Sequence, residues 1–96
     1  GRPVTWGDDV LTVLTGTLPE PALAARAAQA DALVVMKLGR HLDKVRRALA
    51  AAGRLEAAWL VERATMADER VVPLVAAGDR APYFSLVVVH GQGRRP

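Results

Sequence analysis

Residues 32–53 read ALVVMKLGRHLDKVRRALAAAG, and this stretch decides the fold. Its first five residues are continuously apolar, which predicts a strand buried on both faces. Leucine and valine then recur at helical spacing from residue 42 to about residue 52, and Gly53 suits the C′ position that ends a helix. Lys44 and Arg46 are predicted on the solvated face of this helix. A buried strand therefore leaves directly into a helix.

Strands and helices alternate on both sides of this stretch. A β-branched run before a glycine turn predicts a strand over residues 10–14, and a helix is predicted over residues 22–30. Further apolar runs predict strands over residues 57–61, 71–74 and 83–89, and a basic tail over residues 90–96 that we expect to be flexible. The pattern predicts an α/β fold, with helices packed on a layered mixed sheet of about five strands. Two helices cover one face of such a sheet well and the other poorly.

The composition limits the kind of protein that this chain can be. The 96 residues allow one small domain or part of a larger one, and 51% hydrophobic residues suffice for a core. The absence of cysteine excludes a disulfide scaffold and cysteine catalysis, and it fits a cytoplasmic protein. No apolar run reaches the roughly 18–20 residues of a membrane span, so no membrane partner is expected. The net charge of +3 fits either a compositional bias toward arginine or a polyanionic ligand.

Distinctive residues follow the ends of the predicted strands. The first strand leads into Thr15-Gly16-Thr17, the second ends at Met36, and the third leads into Glu62-Arg63-Ala64-Thr65. Ligands of open α/β sheets collect at strand ends, because free backbone groups point into a crevice there. We therefore expect a binding site that these strand ends form together.

The basic residues after the second strand, Lys37, Arg40, His41 and Lys44, suit a ligand with carboxylates or phosphates. Nucleic acid is not expected, because no aromatic residues are interleaved with these charges for base stacking. His41 and His90 lack the spacing of a metal site, so no metal ligands are expected. No nucleophile motif such as GxSxG occurs, and the residues predict no catalytic side chain.

Four stretches of the chain together resemble one known family. They are LTVLTGT at 11–17, VVMKLGRH at 34–41, VERATMADERV at 61–71 and PYFSLVVV at 82–89. In this order they resemble the C-terminal half of the tetrapyrrole (class III) methyltransferases, over nearly the whole chain. The second and third stretches are most similar to the members of that family that act on precorrin-2.

The resemblance implies a two-domain protein that binds S-adenosylmethionine between its domains, with the N-terminal domain outside residues 1–96. The cofactor-binding residues that it implies are Thr15, Gly16, Met36, Ala64 and Thr65. The residues that it implies for the carboxylates of a tetrapyrrole substrate are Lys37, Arg40 and Lys44. A cytoplasmic homodimer is the assembly that we expect by similarity.

The activity implied is methyl transfer to C(20) of precorrin-2 in cobalamin biosynthesis, by the full-length enzyme and not by this fragment alone. Methyl transfer from a sulfonium needs mainly alignment of the donor with the acceptor carbon, which agrees with the lack of a catalytic side chain. Two alternatives stay open. One is a methyltransferase for another precorrin or for uroporphyrinogen, and the other is a non-catalytic domain that dimerises or binds an anionic partner.

Overall fold

A computed structural model describes residues 10–64, 66–78, 81 and 84–91. Its strands and helices are β1 Leu11–Thr15, α1 Glu20–Gln29, β2 Ala32–Met36, α2 Leu42–Ala51, β3 Ala58–Glu62, β4 Arg70–Pro73 and β5 Leu86–Val89. Short 3-10 turns occupy Gly39–His41, Leu55–Ala57 and Leu74–Ala76. The prediction of helices on a mixed sheet of about five strands is confirmed.

The strands form one sheet in the order β1-β2-β5-β3-β4. β1 pairs in parallel with β2, whereas β5 pairs antiparallel with both β2 and β3. β1, β2 and β3 therefore run in the same direction. β4 is an edge strand antiparallel to β3. Consequently the carboxyl ends of β1, β2 and β3 lie at the same edge of the sheet as the amino ends of β4 and β5.

Both helices pack on the same face of the sheet. Each connects two parallel strands, and both connections step across the sheet in the same direction. Since such crossovers are almost always right-handed, the helices return over the same face. The core between the two layers contains Leu14, Leu33, Val35, Leu60, Val87 and Val89 from the strands and Leu23, Ala27, Val45 and Leu49 from the helices. Each fully buried valine or leucine contributes about 1.5–3 kcal/mol.

The opposite face of the sheet carries neither helix, and apart from Thr15 its side chains are apolar. Its side chains are Leu11, Val13 and Thr15 from β1, Ala32, Val34 and Met36 from β2, Leu86 and Val88 from β5, Trp59 and Val61 from β3, and Val71 and Pro73 from β4. Val13, Met36 and Val71 are 55%, 45% and 52% exposed. The prediction that two helices cover one face well and the other poorly is therefore confirmed.

Arginines of α2 bind segments that are distant in sequence. Arg47 donates a hydrogen bond to Glu20 of α1 at 3.0 Å and another to Asp43. The hydrogen bond and the charge of Glu20 raise the pKa of Arg47. The prediction of a solvated Arg46 is wrong, because this side chain is 19% exposed and donates to the carbonyls of residues 77–78 at 2.8 and 2.7 Å.

Arg54 is a buried arginine that caps α1. Its Nη1 donates to the carbonyl oxygens of Ala27 and Ala30 at 3.0 and 2.6 Å, and its Nη2 donates to that of Asp31 at 2.7 Å. Carbonyls at the end of a helix lack partners within the helix, and the helix dipole favours a cation there. Arg54 therefore connects the end of α1 to the segment that leads into β3.

Most of the predicted elements are confirmed with shifts of one or two residues at their ends. The strand over residues 32–36 is found as predicted, and Gly53 ends α2 with φ 74°. The amide of Gly53 donates to Ala50, and that of Arg54 donates to Leu49, the paired bonds of a Schellman motif. The last strand begins at Leu86 and not near residue 83. Residue 83 and residues 92–96 of the predicted tail lie outside the described residues.

Within the described ranges, neither α-helix has the length and apolar character that crossing a membrane requires.

Candidate functional site

A cavity of about 870 Å³ opens at the edge of the sheet where β1, β2 and β3 end. Its lining comes from residues 36–41 after β2, Ala64 after β3, residues 84–86 at the start of β5, Ala81 and Thr17. These segments meet because the three parallel strands all end at this edge, beside the start of the antiparallel β5. The strand ends that the sequence singles out are therefore neighbours in the fold.

The backbone turns sharply at this edge. Lys37 directly follows β2 with φ 54°, Arg63 directly follows β3 with φ 51°, and Phe84 precedes β5 with φ 61°. In the described part of the chain, these are all of the residues other than glycine with a positive φ. The left-handed region costs an L-residue about 1–2 kcal/mol, so the surrounding structure must hold these turns in place. Backbone outliers of this kind cluster at ligand sites.

Gly16 packs against the backbone of the segment that lines the cavity after β2. It is buried, and its amide donates a hydrogen bond of 2.7 Å to the carbonyl of Met36. A Cβ at Gly16 would lie 2.9 Å from the carbonyl oxygen of Lys37 and 3.3 Å from Cβ of His41. Thr15 and Gly16 do not line the cavity, but the Thr15 hydroxyl lies 2.8 Å from that of Thr17, which does. Thr15 and Gly16 therefore belong to the close backbone contact between the ends of β1 and β2, next to the cavity.

Met36 and Ala64 both line the cavity, as a shared cofactor site requires. Met36, with its thioether side chain, is 45% exposed at the end of β2. The amide of Ala64 donates to the carbonyl of Phe84 at 2.9 Å, which fixes the end of β3 to the segment before β5. Thr65 lies outside the described residues, so its predicted role in cofactor binding stays a prediction.

The basic residues lie on the α2 side of the cavity. Lys37 and Arg40 line it and are exposed, and His41 lines it at the start of α2. Lys44 lies further along α2 and is not part of the lining. Arg63, after β3, is paired with Asp68 at 3.3 Å. The structure therefore brings two of the three predicted substrate residues to the cavity.

Sequence reasoning did not select Phe84 as a site residue. The apolar run over residues 83–89 predicts a buried strand, in which Phe84 would be a core residue. In the structure Phe84 precedes the strand, lines the cavity and is 61% exposed. The only signal was its place at the start of an apolar run, which did not distinguish a strand residue from a loop residue.

Comparison with known proteins identifies the chain as a methylase domain. The family model "Tetrapyrrole (Corrin/Porphyrin) Methylases" matches residues 1–77, and the chain belongs to this family. The chain is 54% identical, over its whole length, to the precorrin-2 C(20)-methyltransferase of Sinorhizobium sp., of which it covers 40%. It is 50% identical to the cobalamin biosynthesis protein CobIJ of Mycobacterium tuberculosis, with 97% of the chain and 18% of the relative covered. The chain thus spans less than half the length of these relatives.

Solved structures of methyltransferases have the same fold. The native uroporphyrin III C-methyl transferase of Thermus thermophilus matches with a TM-score of 0.62 and 27% identity, over 90% of this chain and 44% of that one. The complex of the Thermus thermophilus enzyme with S-adenosyl homocysteine matches over 92% of this chain and 43% of that one, with a TM-score of 0.59 at 24% identity. The second likeness shows the fold alone.

Proposed function

We propose that the full-length protein transfers a methyl group from S-adenosylmethionine to C(20) of precorrin-2 in cobalamin biosynthesis. In this proposal the present chain forms one wall of the cleft, and the rest of the protein forms the other. The observation that carries the proposal is the single cavity at which Met36, Ala64 and the basic segment meet. The identity of 54% to a precorrin-2 C(20)-methyltransferase supports the choice of substrate.

The cofactor side of the proposal rests on the chemistry of Met36 and Ala64. A thioether is polarisable and packs well against a heterocycle or another sulfur compound. The small side chain of Ala64 lets a ligand approach the backbone closely. The cofactor supplies an electrophilic methyl group, and the protein aligns it with the acceptor carbon. In this proposal Thr15 and Gly16 act indirectly, by fixing the position of the segment that contains Met36. Thr65 contacts the cofactor directly.

Replacing Met36 with glutamate should weaken binding of S-adenosylhomocysteine to the full-length protein at least about tenfold, because a charge would replace an apolar contact in the site. Isothermal titration calorimetry measures this change. Met66→Glu is the matched control, since Met66 is 46% exposed, against 45% for Met36, and does not line the cavity. Equal affinities of the two variants would refute the assignment of Met36.

The substrate side of the proposal rests on charge. Tetrapyrrole precursors carry many carboxylates, and an arginine fork binds a carboxylate with two parallel hydrogen bonds. Arg40 and Lys37 are exposed at the cavity, where such a substrate would lie beside the cofactor. Lys44 would reach only a carboxylate that extends beyond the cavity along α2. The acceptor carbon forms a bond to the methyl group while the carbon–sulfur bond of the sulfonium breaks. S-adenosylhomocysteine leaves as a neutral thioether and the methylated product releases one proton to solvent, so no protein nucleophile is needed.

Arg40→Glu should raise KM for the tetrapyrrole roughly ten- to a hundredfold and leave KM for S-adenosylmethionine nearly unchanged, because one charge-assisted contact becomes a repulsion. Steady-state kinetics of the full-length enzyme separate the two constants. Arg26→Glu makes the same change of charge on the last turn of α1, away from the cavity, and should change neither. A rise of both constants in Arg40→Glu would argue against a substrate contact.

A second candidate is a methyltransferase for uroporphyrinogen or another precorrin. This second candidate is supported by the similarity to the uroporphyrin III C-methyl transferase of Thermus thermophilus, which has a TM-score of 0.62 and 27% identity. The mass and regiochemistry of the product formed from each tetrapyrrole decide between the two candidate functions.

A cytoplasmic homodimer is part of the proposal, and sedimentation of the full-length protein tests the dimer.

A further inference from the structure

Phe84 has two unfavourable features at once. The residue is 61% exposed, although burial of an aromatic ring is a major source of stability. Its φ of 61° lies in the left-handed region, which is a genuine outlier for a bulky residue. Backbone strain of this kind is typical of functional sites, and Phe84 lines the cavity.

The backbone of Phe84 is held firmly despite the exposure of the ring. Its carbonyl accepts the hydrogen bond of 2.9 Å from the amide of Ala64. The register pairs Val35 with Val87, so the chain before β5 runs alongside the chain after β2. Phe84 and Met36 therefore belong to adjacent segments at the same edge of the sheet. Both line the cavity, and both are exposed.

We propose that Phe84 is a cofactor-binding residue whose ring stacks on the adenine of S-adenosylmethionine, opposite the thioether of Met36. This inference rests on the proposed function and adds a residue to it. An aromatic ring stacks on any base, because every base has a π-face, and a thioether packs well on the other side. In this proposal the positive φ of Phe84 orients its ring toward the ligand.

The distribution of charge around the cavity favours adenine over the tetrapyrrole as the partner of Phe84. Ala64, Ala81 and Leu86 make the side of the cavity near Phe84 mostly apolar, and Ser85 adds one uncharged hydroxyl there, which suits an uncharged planar base. The residues from Lys37 to Arg40 bring positive charge to the other side, which suits a polycarboxylate. Each half of the cavity thus matches one of the two ligands.

The test uses Phe84→Ala and Phe84→Trp in the full-length protein. Calorimetry should show that Phe84→Ala binds S-adenosylhomocysteine roughly ten- to a hundredfold more weakly than the unchanged protein, and that Phe84→Trp keeps most of the affinity. S-ribosylhomocysteine, which lacks the base, should bind the unchanged protein and Phe84→Ala equally. Val75→Ala, an exposed apolar residue outside the cavity, is the control and should leave the affinity unchanged.

Other results would overturn the inference in recognisable ways. Equal weakening of S-adenosylhomocysteine and S-ribosylhomocysteine in Phe84→Ala would mean that the ring does not contact the base. A larger loss for S-adenosylmethionine than for S-adenosylhomocysteine would place the ring at the sulfonium. A raised KM for the tetrapyrrole with unchanged cofactor affinity would place it at the substrate. If the unchanged protein fails to bind S-adenosylhomocysteine, the proposed function fails, whereas an unaffected Phe84→Ala rejects this inference alone.

Discussion

Gly16→Ala should weaken binding of S-adenosylhomocysteine to the full-length protein roughly ten- to a hundredfold and lower the free energy of unfolding by about 1–3 kcal/mol. The added Cβ would lie 2.9 Å from the carbonyl oxygen of Lys37, a backbone atom that cannot rotate away. Relief requires the ends of β1 and β2 to separate, which lengthens the bond of 2.7 Å between the Gly16 amide and the Met36 carbonyl. Met36 and Lys37 would then leave their places in the cavity.

Calorimetry and urea unfolding measure the two effects of Gly16→Ala separately. Gly78→Ala is the matched control, because a Cβ there meets nothing within 4 Å and its φ is not positive. It should leave affinity unchanged and slightly increase stability, by reducing the freedom of the unfolded chain. An unchanged affinity in Gly16→Ala would show that the Met36 segment tolerates the shift, and the supporting role of Gly16 would be abandoned.

Arg54→Ala should lower the free energy of unfolding by about 3 kcal/mol, since it removes three hydrogen bonds from a buried cation to the end of α1. The carbonyls of Ala27, Ala30 and Asp31 would lose their partner. Arg54→Lys should recover part of the loss, because an ammonium group provides donors without the planar fork. Hydrogen exchange of the α1 amides in the full-length protein measures the local effect, and circular dichroism measures the global one.

Arg47→Ala provides the control for Arg54→Ala. Arg47 also bonds across the helices, to Glu20, but it does so at the surface, where such pairs contribute little. Its removal should leave the unfolding transition nearly unchanged. If Arg54→Ala is equally mild, water must replace the guanidinium at the end of α1, and the cap is not a major source of stability.

The elements of the fold are predictable from local patterns in the sequence. Three local patterns predict their own secondary structure: the apolar run of β2, the helical spacing of α2 and the glycine at residue 53. They do so because these elements depend on residues that are neighbours along the chain. The strand ends could also be expected to meet, since the rule for parallel strands is general. This rule predicts from the sequence that Met36 and Arg40 lie at the same edge of the sheet, and both line the cavity.

The contacts between distant segments could not be predicted in the same way. The pattern of α2 predicts a solvated Arg46, and nothing in the sequence marks Arg54 as a cap. Only the tertiary fold brings carbonyls 23 to 32 residues away within reach of these two arginines. Phe84 was missed for a related reason. Its apolar neighbours indicate a strand, and the positive φ that separates it from β5 leaves no mark on residues other than glycine and asparagine.

The sheet face without helices has a consequence for work with this chain by itself. None of the twelve side chains assigned to that face in the described strands is charged. Val13, Met36 and Val71 on this face are about half exposed, so two copies that meet there experience attraction between apolar surfaces and no repulsion between charges, which favours aggregation. Purification of residues 1–96 alone therefore favours self-association, and biochemical measurements are better made on the longer protein.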